Sequence, residues 1–113
     1  MDINTVNQQI KEVYIMTINK TIENGSAVFA LEGRLDTNTS PELEAELKNV
    51  FEGISQLTFD FEKLDYISSA GLRVLLSAQK AMNGKGTMTV KNVNETITEI
   101  FEVTGFSDIL TIE

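Results

Sequence analysis

Leu57-Thr58-Phe59-Asp60-Phe61, Ser69-Ala70-Gly71-Leu72-Arg73-Val74-Leu75-Leu76-Ser77-Ala78-Gln79-Lys80-Ala81-Met82 and Thr87-Met88-Thr89-Val90 follow one another along the chain, and they decide the fold. The first is a short apolar run with β-formers, read as a buried strand. The second begins after Ser68 or Ser69 and carries apolar residues at helical spacing. Asn83-Gly84-Lys85-Gly86 stops it and turns the chain into the third segment, another strand. A strand, a helix and a strand in that order imply parallel pairing, because the helix supplies the long crossover that parallel strands need. Arg73, Ser77 and Lys80 form a narrow polar stripe on an otherwise largely apolar helix, so it is either sunk in the fold or partly kept for a partner.

Outward from this unit the same alternation continues. Towards the N-terminus, Tyr14, Met16 and Ile18 alternate along a strand. Asn24-Gly25 gives a turn, and Ala27 to Leu31 forms a second strand, so the domain opens with a hairpin. Ser40-Pro41 begins a helix in which Ser40 is placed to cap and Pro41 loses nothing by lacking an N–H; Gly53 ends it. Leu43, Leu47, Val50 and Phe51 form its inner stripe. Towards the C-terminus Asn94 caps a third helix with Ile97, Ile100 and Phe101 facing inward. Gly105 takes the left-handed position after it, and Ile109 to Ile112 forms a strand or a short helix. The order ββαβαβα describes one α/β domain over residues 13–113, a four- to five-stranded mixed sheet with helices packed on it. Residues 1–12 are polar and read as an extension outside that domain.

Composition narrows the chemistry. The 113 residues contain no cysteine and no histidine, which removes disulfides, thiolate metal sites, cysteine nucleophiles, the commonest general base and a histidine phosphocarrier. No Gly-x-x-x-x-Gly-Lys-Ser/Thr loop and no Gly-x-Ser-x-Gly elbow is present. We therefore expect no enzyme, no metal and no cofactor. A formal charge of -8 opposes nucleic acid and anionic lipid, so a protein partner or a basic surface is favoured. No apolar run nears the roughly 20 residues that cross a bilayer, and cytoplasm is the expected location.

The segment with most chemical interest is Asp65-Tyr66-Ile67-Ser68-Ser69-Ala70-Gly71, where a strand end, a loop and a helix start meet. Ligands and partners of open parallel sheets gather at such carboxyl ends. Two hydroxyls precede a helix whose free amides and positive dipole end favour an added phosphate by ~0.3–1 kcal/mol. Capping alone also accounts for a serine pair at this place. Gly71 breaks helix propensity by about 0.8–1 kcal/mol against alanine, which points either to close helix–sheet packing or to function. Asp36 reads as a partner-facing acid or as a turn residue capping Asn38 or Thr39. Asp60 orders the backbone after its strand. Asp65 is a solvated loop acid, and Arg73 and Lys80 read either as contacts to an acidic strip on a partner or as an exposed helix face.

Leu64-Asp65-Tyr66-Ile67-Ser68-Ser69-Ala70-Gly71-Leu72-Arg73-Val74-Leu75 resembles the phosphorylation loop of the anti-sigma factor antagonists, the STAS domain family. Gly33-Arg34-Leu35-Asp36 with Pro41-Glu42-Leu43, Phe59-Asp60-Phe61 and Glu102-Val103-Thr104-Gly105-Phe106 resemble other parts of that family in the right order, covering about Ile18 to Ile112. The resemblance implies a binding module: the unphosphorylated form captures an anti-sigma factor that is also a serine kinase and frees a sigma factor. Phosphorylation ends binding and a serine phosphatase restores it. By position the acceptor is Ser69, with Ser68 as the alternate, since Ser68 stands where many members have aspartate. The implied partner surface is Asp36, Ser68, Ser69, Gly71, Leu72 and Arg73. A weak homodimer through the same patch is a further expectation. The other binding role open to such a domain is docking as a subunit of a lipid- or anion-transport complex.

Overall fold

The computed structural model describes residues 16–113. Its elements are β1 (Thr17–Glu23), β2 (Ser26–Leu35), α1 (Ser40–Lys48), β3 (Gln56–Ile67), α2 (Ser69–Asn83), β4 (Thr87–Lys91), α3 (Glu95–Thr104) and β5 (Thr111–Ile112), with short 3-10 turns at Phe51–Gly53 and Phe106–Asp108. The expected extension over residues 1–12, and Tyr14 as part of the first strand, lie outside the described residues.

The sheet has five strands in chain order, β1 antiparallel to β2 and all later neighbours parallel. The hairpin turns at Asn24 and Gly25, both at positive φ (50° and 80°), the conformation for which Asn-Gly is suited. Strands that advance one place at a time through right-handed crossovers carry α1, α2 and α3 over one face. Burial agrees. Ala27, Phe29 and Leu31 of β2, Leu57, Phe59 and Phe61 of β3 and Met88 and Val90 of β4 are buried beneath helical Leu43, Leu47, Leu75, Ala78, Met82, Ile97 and Phe101. Phe29 and Phe59 pair across the sheet, rings tilted and 6.0 Å apart, and Phe61 continues the line. Burying such side chains contributes roughly 1.5–3 kcal/mol each. The other sheet face carries the half-buried Val28, Ala30, Thr58, Asp60 and Thr89.

The central strand is longer than its apolar run. β3 extends from Gln56 to Ile67, whereas the sequence reads the strand from Leu57 to Phe61 and Asp65 as a loop acid. The cause is a pair of register shifts against β2, between Ala30 and Glu32 and between Gly33 and Arg34. They let Glu62 and Lys63 both face solvent, so the period-2 pattern breaks while pairing continues. Asp60 holds this irregularity: its Oδ1 accepts from the Glu62 amide (3.1 Å) and from Asn92 Nδ2 (2.9 Å). Those bonds, Asn92 first and with Lys91 adding its charge, hold the Asp60 carboxyl below the usual carboxylate range against the opposing effect of burial.

The first helix also departs from expectation. It ends at Lys48, and Gly53 closes a separate 3-10 turn. The residue at its N-cap is Thr39, and Ser40 is the first helical residue, buried, with a hydroxyl that has no partner. α3 keeps to expectation: Asn94 Oδ1 accepts from the Ile97 amide at 2.8 Å, and Gly105 closes the helix at φ 81°. The final segment is a strand, Thr111–Ile112, paired with β4.

Candidate functional site

Two chain crossings at the carboxyl ends of β2 and β3 build the site. Leu35 and Ile67 pair in register at the ends of these strands, and the Ser68 amide donates to the Leu35 carbonyl at 2.9 Å. That bond ties the start of α2 to the end of β2. Ser68 is the N-cap residue, with extended backbone (φ −99°, ψ 177°), and its carbonyl accepts from the Leu72 amide at 2.9 Å. Its side chain makes no capping bond, and its Oγ is shut away from solvent without a partner. Among the described residues the amides of Ser69, Ala70 and Gly71 have no acceptor either. Ser69 is exposed. The helix therefore presents three unpaired amides and one accessible hydroxyl.

Gly71 explains how the helix can start so close to the sheet. A Cβ at this position would stand 2.7 Å from Ile67 Cγ1, 2.8 Å from Leu35 Cγ and 2.9 Å from the Leu35 carbonyl oxygen. Close packing is thus the reason for the glycine. Leu72 is 6% exposed and points the same way. Of the expected partner surface, Gly71 and Leu72 lie inside the fold and seat the helix, while Ser69 and Arg73 face outward. The very apolar character of α2 is likewise spent on this chain's own core, through Leu72, Val74, Leu75, Ala78 and Met82.

Asp36 is largely occupied by its own turn. Its Oδ1 accepts from the amides of Asn38 (3.0 Å) and Thr39 (3.2 Å), the turn-capping role open to it from sequence. Thr39 Oγ1 donates to the Arg34 carbonyl at 2.7 Å and accepts from the Asp36 amide at 2.9 Å. Asp36 Oδ2 lies 3.7 Å from Arg34 Nε, and the Arg34 guanidinium sits 4.5 Å above the centre of the Tyr66 ring. Arg34 is 47% exposed at the side chain and Asp36 15%, so the charge offered to solvent here is the cation. Arg34 and Tyr66 were not legible as a site. They meet only because the register brings residues 32 positions apart into one pair.

Between α1 and α2 runs a groove of about 320 Å³, with Thr37, Ser40, Pro41 and Glu44 on one wall and Ala70, Arg73, Val74 and Ser77 on the other. Its α2 wall begins at Ala70, the residue after Ser69. Arg73 stands on its rim and makes no ion pair among the described residues. Among those residues no group of three or more acidic side chains could hold a metal ion, and no helix is long and apolar enough to cross a membrane. No imidazole or thiol is available to activate a hydroxyl. What the arrangement offers is an accessible serine hydroxyl and a helix start able to receive negative charge.

Comparison with known proteins bears on this geometry. The model of the STAS domain matches residues 16–113. A candidate anti-sigma factor antagonist of Bordetella bronchiseptica, BtrV, is 36% identical over 90 residues, 78% of each chain. The anti-sigma-B factor antagonist of Staphylococcus aureus is 31% identical over 80 residues, 69% of this chain and 74% of that one. Among solved structures, an anti-sigma factor antagonist from Mycobacterium paratuberculosis superposes with a TM-score of 0.79 at 19% identity, covering 87% and 85% of the two chains. The phosphorylated form of the Bacillus cell fate determinant SpoIIAA gives 0.68 at 17% identity, covering 88% and 91%. A sulfate transporter family protein of Wolinella succinogenes gives 0.68 at 17%, covering 80% and 75%. At those identities the structures speak for the fold, and the sequence matches speak for the kinship. The chain belongs to the STAS domain family, with relatives named as anti-sigma factor antagonists.

Proposed function

We propose that this protein is an anti-sigma factor antagonist of the partner-switching kind, and that Ser69 is its phosphorylation site. The observation that carries the reading is the contrast between the two serines. The Ser69 side chain is open to solvent at the first turn of α2, whereas the Ser68 hydroxyl is closed off. In the transfer, the Ser69 Oγ forms a bond to the γ-phosphorus of ATP, the bond to ADP breaks, and the hydroxyl proton passes to a base of the kinase. Ser69 is a substrate in this step; the catalytic groups belong to the partner.

In the unphosphorylated form, the exposed Ser69, Arg73 and the groove between α1 and α2 receive an anti-sigma factor that is also a serine kinase, and the sigma factor is released in the cytoplasm. Phosphate adds about −1.5 to −2 charge at the centre of that contact. Desolvating a dianion there, beside the partner's own groups, removes the affinity without a change of fold. A serine phosphatase resets the switch. The relatives named as antagonists support this reading over docking to a transporter, for which the Wolinella neighbour offers fold likeness alone.

The test is to incubate the wild type, Ser69→Ala and Ser68→Ala with ATP and the kinase-like anti-sigma factors of the same cell, and to map phosphate by mass spectrometry. Phosphate on the wild type and Ser68→Ala, and none on Ser69→Ala, is expected. Phosphate that persists on Ser69→Ala, or binding to transporter subunits and to no such kinase, would overturn the assignment.

A further inference from the structure

Arg73 follows Ser69 by four residues on α2. Residues at i and i+4 share a helix face with Cβ atoms about 5–6 Å apart, and an anion placed N-terminal to a cation is the favourable order along the helix dipole. Both side chains are exposed. The chain has one other arginine, Arg34, and it is engaged with Tyr66 and Asp36. Lys80, the next cation along α2, is about three turns beyond Ser69. The remaining charged and titratable groups around the place are acidic or phenolic. Glu44 stands across the groove on α1, 3.7 Å from Lys48. Asp36 holds its own turn, and Asp65 and Tyr66 close β3.

We infer that Arg73 is the internal counter-ion of phosphorylated Ser69. This deepens the Ser69 assignment above and rests on it. A guanidinium reaches back one turn to a phosphate more readily than to any other anion on its face, and its planar fork can hold two phosphate oxygens at once. Phosphorylation then changes the partner surface twice: it adds a dianion at the helix start, and it draws Arg73 away from the rim of the groove. Arg73 faces the partner in one state and clamps the phosphate in the other.

The experiment uses the full chain with phosphoserine installed at position 69 during translation, so that no kinase or partner is needed. The phosphate is titrated by phosphorus NMR in the wild type, Arg73→Gln and Arg73→Lys. A free phosphoserine loses its second proton near pH 6. The helix amides lower that value in all three proteins, so the difference between them isolates Arg73. The wild type is expected to titrate about 0.3–0.7 pH unit below Arg73→Gln, with Arg73→Lys between them because it keeps the charge and loses the fork. Equal values in the wild type and Arg73→Gln, to within about 0.1 unit, would overturn the inference. Thermal unfolding of the unphosphorylated forms checks that the exposed substitutions leave the fold intact. Failure of the kinase to label Ser69 would count against the assignment of the site, while equal titrations would count against Arg73 alone.

Discussion

The starts of α2 and α3 are built from similar sequence and finished differently. Each follows a strand, and each has a polar N-cap residue in extended conformation, Ser68 in one and Asn94 in the other. Asn94 closes its helix: Oδ1 accepts from Ile97, and Nδ2 donates to the Leu64 carbonyl at 2.9 Å, which also ties α3 to β3. Ser68 closes nothing, and its hydroxyl is buried without a partner. α1 has no side-chain cap either, but its first amides find backbone acceptors, Ser40 donating to the Asp36 carbonyl and Glu42 to the Thr39 carbonyl. Stability accounts for two of the three helix starts. The third is left unfinished where the backbone is held most firmly, by Leu35, Ile67 and the glycine between helix and sheet. Rigid support with unspent hydrogen-bond donors is what a site for added negative charge requires.

Substitutions can break or sharpen that contrast. The largest effect is expected at Gly71. Alanine is the better helix former by about 1 kcal/mol, yet its methyl group would press on Leu35 and Ile67, with an overpacking cost of typically 1–3 kcal/mol. The Leu35 carbonyl is backbone and gives way least, which puts the cost at the upper end of that range, so Gly71→Ala should lower stability by about 2 kcal/mol in denaturant titration; a gain in stability would mean that α2 is not pressed against the strand ends. Next comes Asn94→Ala, which removes both the cap and the tie to β3 and should cost about 1–2 kcal/mol by the same assay. Ser68→Ala sharpens the comparison, because at an ordinary cap it would cost about 1 kcal/mol. Here the hydroxyl has nothing to lose, so stability should hold within about 0.5 kcal/mol or rise. A loss as large as that of Asn94→Ala would show that Ser68 caps α2 in solution.

The smallest effect concerns pH. Asp60 is held below its ordinary pKa in the folded chain, so the folded form binds its proton less readily than the unfolded chain does. Its contribution to stability is complete above the unfolded value near 3.9 and is lost as pH falls through the lower folded value. Asp60→Asn should flatten the acid side of the stability profile over that interval, measured by thermal unfolding against pH. An unchanged slope would mean that the bonds to Asn92 and Glu62 do not favour the carboxylate.

Most of the architecture was readable from periodicity. The strand–helix–strand unit, the Asn24-Gly25 hairpin, the Asn94 cap and the Gly105 ending depend on residues within a few positions of one another. The length of β3 was not readable in this way. It is set by bulged pairing with β2, which puts Glu62 and Lys63 side by side on the solvent side and hides the strand behind an irregular pattern. The same holds at the site. Ser69, Arg73 and the glycine are candidates read from one contiguous segment. What Gly71 touches on Leu35 and the stacking of Arg34 on Tyr66 arise from long-range register. Capping propensity also misled at Ser40 and Ser68, where a hydroxyl of the right type sits at or beside the cap position and points into the fold without a bond. Propensity names the residue type suited to a place; the neighbouring strand decides whether the group reaches it.

The most direct test is the affinity of the chain for the anti-sigma factor proposed as its partner, measured by calorimetry with Ser69 unmodified and with Ser69 stoichiometrically phosphorylated. The switch at the open helix start requires phosphorylation to weaken binding at least about 100-fold, equivalent to about 2.7 kcal/mol. Equal affinity of the two forms would contradict it.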